Sequence, residues 1–466
     1  MHACLLAFFG TIALIVPSRM DWPHYLNKIK KNLQLPKKFH IAGEVAWVGF
    51  GILANVLAML IGTRFLTSLL STSEYGALAL AISLANLANH IFGIPIGQTG
   101  LRFYQSYIDA DKSSVLLSFM GKSLLWAFSL VVAVGFIVVF NSGNFENYPG
   151  DSFVFLTVGF AILLVVNRSA LGVEDASRKR SLRAISQGIF EISRFLIAVI
   201  LILLLSNPSA VITMLGFVLG GLLTATVHLV FFKGLFSKSP VKAINTHETQ
   251  SIGSREAMRR FQLPLVVSSV CLWVVMMTER WALQKFGTLS NVGGYAAVYQ
   301  LSFVPMVVLS NFFLVLTEPV LYQIVGPGKS DDSKGRAFLV NRHLTTIIIL
   351  FSITLSLICF FAHPIISRLF LGEAFRAYSW LFPWLVLAGG CYAAGHQLLL
   401  NLSCEMQTGK LAVLWFIVSI VAVVCYFTAT YFWQVKGLLV AVIFVFTLLL
   451  ILAIQQSPRG EKIPGK

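Results

Sequence analysis

Three arginines draw attention in a chain with few charges: Arg64, Arg194 and Arg280, each inside or at the end of a long apolar run. Two have a carboxylate nearby, Glu191 three residues before Arg194 and Glu279 directly before Arg280. Arginine in such a setting suits an anion such as phosphate, because its planar fork makes two parallel hydrogen bonds and keeps its charge when buried. A charge at mid-membrane depth costs at least about 2.5–3.5 kcal/mol on insertion scales, so Arg194 must face a partner or water rather than lipid. Glu191 and Arg194 share a helical face, which leaves open an ion pair that locks helices, a substrate contact or a proton-coupling site. Adjacent helical residues point about 100° apart, so Glu279 and Arg280 are expected to serve different neighbours. Arg280, roughly 6 Å of rise from the end of its run, is expected to reach the interface by snorkelling.

A second group is polar and softer. Asn55, Asn86, Asn89 and His90 give the first two apolar runs a polar stripe, with Asn86 and His90 four residues apart. These side chains suit either sugar hydroxyls or interhelical hydrogen bonds. His228, His396 and Glu405 are weaker cases of the same kind. The cysteines Cys4, Cys271, Cys359, Cys391, Cys404 and Cys425 lack CxxC spacing and indicate neither a disulfide framework nor a metal site. No P-loop, H-E-x-x-H or G-x-S-x-G occurs, so no cofactor, ATP-driven cycle or catalytic residue is expected.

The elements that carry these residues are dictated by composition. The 466 residues are 57% apolar and only 12% charged, and the mean hydropathy is +0.81. Soluble domains carry roughly a quarter charged residues, so this is an all-α polytopic membrane protein, with apolar runs near the ~20 residues a helical span requires. Twelve spans are expected, at 42–62, 76–97, 114–140, 152–172, 182–205, 209–232, 261–284, 292–316, 338–361, 379–401, 409–432 and 436–455. Trp47, Trp126, Trp281, Trp380 and Trp433 near span ends read as an interface belt.

The net charge of +16 is explained by topology rather than by nucleic acid. Of the 35 Lys and Arg residues, 28 fall on the amino-terminal side of the membrane and five, namely Arg64, Lys285, Arg368, Arg376 and Lys436, on the other. Basic loops are cytoplasmic, which puts both termini there. The chain then divides into an extension (1–40), a first six-helix bundle (41–232), a basic connection (233–260), a second bundle (261–456) and a tail (457–466). The apolar run within 1–19 is too short for a comfortable span, and reads either as a start assigned upstream of Met20 or as an interfacial segment.

The two bundles share a junction. RFLTSLLSTSEYGALAL from Arg64 matches RWALQKFGTLSNVGGYAAV from Arg280, the second copy carrying four extra residues. Two halves inserted in the same direction form a parallel repeat, a plan known for secondary transporters. On Arg64-Phe65-Leu66, Ser73-Glu74-Tyr75-Gly76, Pro264, Glu279-Arg280 and Gly293-Gly294-Tyr295, the chain resembles the polysaccharide biosynthesis, Wzx-like oligosaccharide flippase branch of the multidrug/oligosaccharidyl-lipid/polysaccharide exporter superfamily. Glu279 stands where that branch commonly has Asp.

The resemblance, over residues 41 to 456, implies a flippase in the bacterial cytoplasmic (inner) membrane. Its cargo would be an undecaprenyl-diphosphate-linked oligosaccharide, an O-antigen (lipopolysaccharide) or exopolysaccharide repeat unit. Two bundles would rock around a central cavity by alternating access, with Arg64, Arg194, Arg280, Asn55, Asn86 and His90 as cavity candidates and Glu191 and Glu279 as ion-coupling or pairing groups. Membrane lipids, a polysaccharide polymerase and a chain-length regulator are the implied partners. An ion-coupled drug or cation antiporter of the same superfamily is the alternative. A membrane glycosyltransferase or polymerase fits less well, because the longest internal loop has about 28 residues and such enzymes carry large extramembrane segments.

The topology is testable by cysteine labelling from each side of the membrane. Probes placed at 206–209 are expected to react only from outside and probes within 237–254 only from inside; the reverse pattern would overturn the orientation.

Overall fold

The computed structural model describes residues 39–109, 113–141, 150–177, 179–236, 255–325, 331–405 and 407–457. The expected amino-terminal segment before residue 39, most of the basic connection and nearly all of the tail lie outside the described residues. The described residues are helical, with no strand among them. The first half contains α1 (Phe39–Leu69), α2 (Thr72–Ala88), a π turn (Asn89–Gly93), α3 (Ile94–Asp109), α4 (Ser113–Phe140), α5 (Asp151–Ala176), α6 (Arg180–Leu205) and α7 (Ala210–Phe236). The second contains α8 (Arg255–Phe286), α9 (Leu289–Val325), α10 (Asp331–Phe370), a 3-10 segment (Glu373–Leu381), α11 (Phe382–Cys404) and α12 (Thr408–Gln456).

Among the described residues, 11 helices are long and apolar enough to cross a membrane. The last of these is two passes. Trp433 and Gln434 have non-helical dihedrals, with φ +47° at Gln434. Trp415 packs edge-on to His396 while Leu449 packs on Gly395. Residues 415 and 449 would lie about 51 Å apart along a straight helix, yet they reach the same level of α11. The chain therefore doubles back at Trp433–Gln434, as the expected cut between 432 and 436 requires.

Lipid offers no hydrogen bonds, so Ser and Thr side chains within the helices bond back to their own backbone. Thr67 Oγ1 donates to Thr63 O (2.8 Å) and Thr99 Oγ1 to Pro95 O (2.8 Å). The π turn has a local cause. Pro95 has no N–H and its ring crowds the carbonyl of the preceding turn, and the wider turn relieves that contact, with Ile94 N–H bonding to Asn89 O.

The two halves meet along a seam that contains the junctions matched in the sequence. Thr72 opens α2 and Gly76 lies four residues on; Leu289 opens α9 and Gly293 lies four residues on. A Cβ on Gly76 would strike Leu289 O, and one on Gly293 would strike Thr72 O and come within 2.9 Å of Gly76 N. Each glycine thus accepts the first carbonyl of the opposite helix, a reciprocal contact that only a hydrogen side chain permits. Gly76 and Gly293 are the structurally equivalent positions, three residues out of step with the pairing of Tyr75 and Tyr295 by sequence.

Contacts continue along α8. Trp273 Nε1 donates to Ser83 O (2.8 Å) and Trp281 Nε1 to Ser83 Oγ (3.0 Å). His90 Nδ1 meets Ser269 O at 2.8 Å, and Phe103 meets Phe261 edge to face at 5.7 Å between centroids. The halves are in contact at both ends of α8. Trp433 is exposed at the reversal between the last two passes, Trp126 is exposed at the middle of α4 rather than at a span end, and Trp281 turns into the seam because its N–H finds Ser83 there.

Gly293→Val is expected to force α2 and α9 apart, at a cost of roughly 1–3 kcal/mol or more for overpacking, and to lower the melting temperature in detergent by several degrees. Gly121→Ala, with open space around its Cβ, should leave it unchanged; equal effects of the two would overturn the seam contact.

Candidate functional site

Arg280 is only 5% exposed and Glu279 1%. This corrects the snorkelling expectation, because the seam around the end of α8 covers the arginine before it can reach the interface. It also corrects the expectation of separate neighbours. Arg280 Nε lies 3.8 Å from Glu279 Oε1, an ion pair without a hydrogen bond. The guanidinium sits over the Tyr299 ring at 5.2 Å from its centroid, and Nη1 donates to Met277 Sδ (3.3 Å). Side chains of adjacent residues can approach this closely because both are long enough to bend toward each other around the helix.

Neither carboxylate oxygen of Glu279 has a hydrogen-bond partner among the described residues, nor has the Tyr295 hydroxyl. Glu279 acts electrostatically on the hydroxyls of Tyr295, Tyr299 and Tyr426. Tyr426 is held by its bond to Val275 O (3.0 Å) and Tyr299 by Met276 Sδ (3.6 Å). An enclosed carboxyl beside one loose guanidinium, with no hydrogen-bond donor of its own, has unused capacity for a proton or a small cation.

Arg194 is held differently. Its Nη2 donates to Glu191 Oε2, and Gln187 Nε2 donates to Glu191 Oε1 (3.3 Å). Its guanidinium carbon lies 4.7 Å from the Phe195 ring centroid and 5.4 Å from those of Phe190 and Phe217. The Arg194 backbone touches the site of a Gly220 Cβ, so α6 and α7 pack closely beside it. Arg194 Nε is unpartnered. Glu191, Arg194 and Gln187 all belong to α6, so the pair is internal to one helix and reaches α7 only through the packing of Arg194 on Phe217, with one donor to spare.

The structure does not bring the three arginines into one cluster. Arg194 packs on rings of α6 and α7 in the first half, and Arg280 on Tyr299 of α9 in the second. Arg64 instead donates from Nη1 to Leu371 O, while Gly372 N–H donates to Thr67 Oγ1 (2.9 Å). Tyr75 packs edge to face on Phe375 (5.5 Å). Arg64 thus ties α1 to the corner before the 3-10 segment, across the halves.

Among the softer candidates, Asn86 Nδ2 bonds its own helix at Ile82 O (2.9 Å), His90 bridges to Ser269, and Asn55 is half-buried on α1. The π turn begins between Asn86 and His90, so they do not share the regular four-residue face. His396 packs against Tyr392 and Trp415. Arg168 and the partners of His228 escape the sequence reading, which named His228 alone. Arg168, near the basic end of α5, lies against the π turn, its Cβ 3.2 Å from the position a Gly93 Cβ would take. Glu174 and His228 form a buried network with Asn167 and Ser186. Their separation in sequence hides the network, and only the presence of acids and histidine in apolar runs hinted at it. Among the described residues no three His, Cys, Asp or Glu side chains form a metal-binding group.

No protein-family description and no curated protein sequence matches the chain. Solved structures match over almost its whole length. The lipid II flippase MurJ in an inward closed conformation aligns at TM-score 0.68 with 10% identity, covering 89% of this chain and 88% of that one. An inward-facing multidrug resistance MATE family transporter of the MOP superfamily aligns at TM-score 0.64 with 12% identity, covering 88% and 96%. A MOP superfamily transporter from Pyrococcus furiosus aligns at 0.54 with 15% identity, covering 87% and 94%. The chain has the MOP transporter fold. Its two halves are the two lobes of that fold, and the chain is a multi-pass membrane protein.

The Glu191–Arg194 pair generates a stability prediction. Glu191→Ala and Arg194→Ala should each destabilise by roughly 3 kcal/mol, because each leaves the other charge buried and unpaired. The double change to Met at both positions should recover most of that loss in a thermal-unfolding assay; full additivity of the single losses would show that the two side chains do not interact.

Proposed function

We propose that the chain is a flippase that moves an undecaprenyl-diphosphate-linked oligosaccharide, an O-antigen or exopolysaccharide repeat unit, across the bacterial cytoplasmic membrane. The observation that carries this reading is that each lobe holds an enclosed arginine with an unpartnered Nε, Arg194 on α6 and Arg280 on α8. A diphosphate passing between the lobes needs cationic groups that stay charged out of water, and two arginines meet that need better than lysines would. The polyprenyl tail remains in lipid while the glycan and diphosphate travel between the lobes. The shared fold with the lipid II flippase MurJ supports a lipid-linked cargo.

In this cycle the reciprocal glycine contact and the Arg64–Leu371 bond hold one end of the lobes together, and the Phe103–Phe261 contact holds the other. Alternating access requires that these close in turn. The basic loops and both termini lie in the cytoplasm, and the polymerase and chain-length regulator take the cargo on the outer side. Asn55, Asn86 and His90 contribute polar contacts for the glycan. The antiporter reading is favoured by one observation, the Glu279 carboxylate without hydrogen-bond donors, which suits a coupling ion in either kind of transporter.

Reconstituted vesicles carrying a fluorescent lipid-linked oligosaccharide, with outer-leaflet quenching as readout, test the proposal. Arg280→Ala and Arg194→Ala should each slow flipping about tenfold or more, the equivalent of one lost charged hydrogen bond, and Arg280→Lys should recover part of the rate. Unchanged rates in both alanine variants would overturn the cationic path. Drug or cation efflux by vesicles that do not flip the glycolipid would establish the antiporter.

A further inference from the structure

The first lobe contains a buried titratable network that the proposed cargo path does not use. Glu174 is fully buried on α5, two residues from its end, and His228 is 2% exposed on α7. His228 Nδ1 lies 2.7 Å from Glu174 Oε1 and Nε2 lies 3.0 Å from Asn167 Oδ1. Ser186 Oγ on α6 donates to the other carboxylate oxygen, Glu174 Oε2 (2.8 Å). Three helices therefore contribute to one closed polar set, with every carboxylate and imidazole heteroatom engaged.

The chemistry of that set is specific. Nδ1 faces the Glu174 carboxyl and Nε2 faces the Asn167 amide, so ring, carboxyl and amide form one hydrogen-bonded line along which a proton can be held. When a ring that carries both protons loses the one on Nε2, the electron pair of that bond stays on nitrogen and the proton goes to a water molecule. A half-turn of the Asn167 amide then presents Nδ2–H to the new lone pair. One amide rotation satisfies the hydrogen bonds of both states, so neither state strands a buried polar atom. A purely structural pin, such as the Asn341, Gln397 and Asn401 amide cluster of the second lobe, has no group that titrates.

We infer that Glu174, His228, Asn167 and Ser186 form a proton-binding site, and that its proton is the coupling ion of the transport cycle. The neighbouring charges are those of the Arg183–Asp175 pair (2.7 Å) at the α5–α6 corner, Arg168 on α5, and Lys179, whose Nζ lies 4.7 Å from the ring centroid of Phe231, three residues after His228 on α7. On α2 the charged residue is Glu74, which accepts from Ala210 N–H (2.6 Å) at the far end of α7. A route to the seam is short. Arg168 follows Asn167 and abuts the π turn at Gly93, and His90 of that turn bonds Ser269 O of the other lobe. Gain or loss of the proton changes the charge directly behind the π turn that bridges the lobes.

The use of the proton rests on the transport reading; its binding does not, and one preparation separates the two. Infrared pH titration of the full chain in nanodiscs should show an imidazolium signal that His228→Gln removes. Glu174→Gln should lower its midpoint by about one pH unit or more, as loss of an opposite charge at hydrogen-bond distance does, and Asn167→Asp should raise it. Both of these variants keep the histidine, so they remain informative if His228→Gln does not fold. Identical titrations in the wild type, His228→Gln and Glu174→Gln would overturn the site. In vesicles, a proton gradient should accelerate glycolipid flipping by the wild type and leave His228→Gln unaffected. Equal acceleration of both would overturn the coupling while the titration still stands, and a wild type that titrates but flips nothing would overturn the transport reading alone.

Discussion

Lipid does not replace a lost hydrogen bond, and the architecture follows from that constraint. Backbone groups are satisfied within helices, hydroxyls bond back to the preceding turn, and the charged side chains within spans are paired or packed on rings. Because helices in lipid gain little from burying apolar surface against one another, close contact must come from small residues. The reciprocal packing of Gly76 and Gly293 on the opening carbonyls of α9 and α2 is the tightest expression of this rule. It sets where the lobes touch, and hence what faces what across the seam.

Buried polar groups in this fold fall into two kinds. Some are fully matched and uncharged, such as Asn341, Gln397 and Asn401, where Asn341 Nδ2 donates to Asn401 Oδ1 (2.7 Å) and Gln397 Nε2 to Asn341 Oδ1 (2.7 Å). These pin α10 to α11. Others combine charge with spare capacity: Glu279 with two unpartnered oxygens and Arg194 with an unpartnered Nε; the His228 set is matched but built from titratable groups. The second kind gathers near the seam and in the first lobe, where a moving lobe changes the surroundings of a charge.

The spans were legible because their signal is local. Runs of apolar residues, turn chemistry and the imbalance of Lys and Arg identify them without knowledge of any contact, and even the reversal at Trp433–Gln434 was marked by Trp433, Gln434 and Lys436. The junction repeat was legible for the same reason, although its structural register centres on Gly76 and Gly293. The site was less so. Helical angles placed Glu279 and Arg280 apart, but they lie 3.8 Å from each other, and Trp281 left the expected belt for Ser83. Such outcomes depend on which neighbour covers a side chain.

By itself, the sequence determined that this protein lives in lipid, that it is helical, how many times it crosses and that its halves are related, since each of these depends on hydropathy and composition over short windows. Only the tertiary structure decided that Arg280 is enclosed beside Glu279 under Tyr299, that Arg64 closes onto Leu371, and that Glu174 finds His228 54 positions along the chain. The physical reason is that a buried charge takes its role from the partners that replace water around it. Those partners come from helices distant in the chain, and no window of sequence contains them.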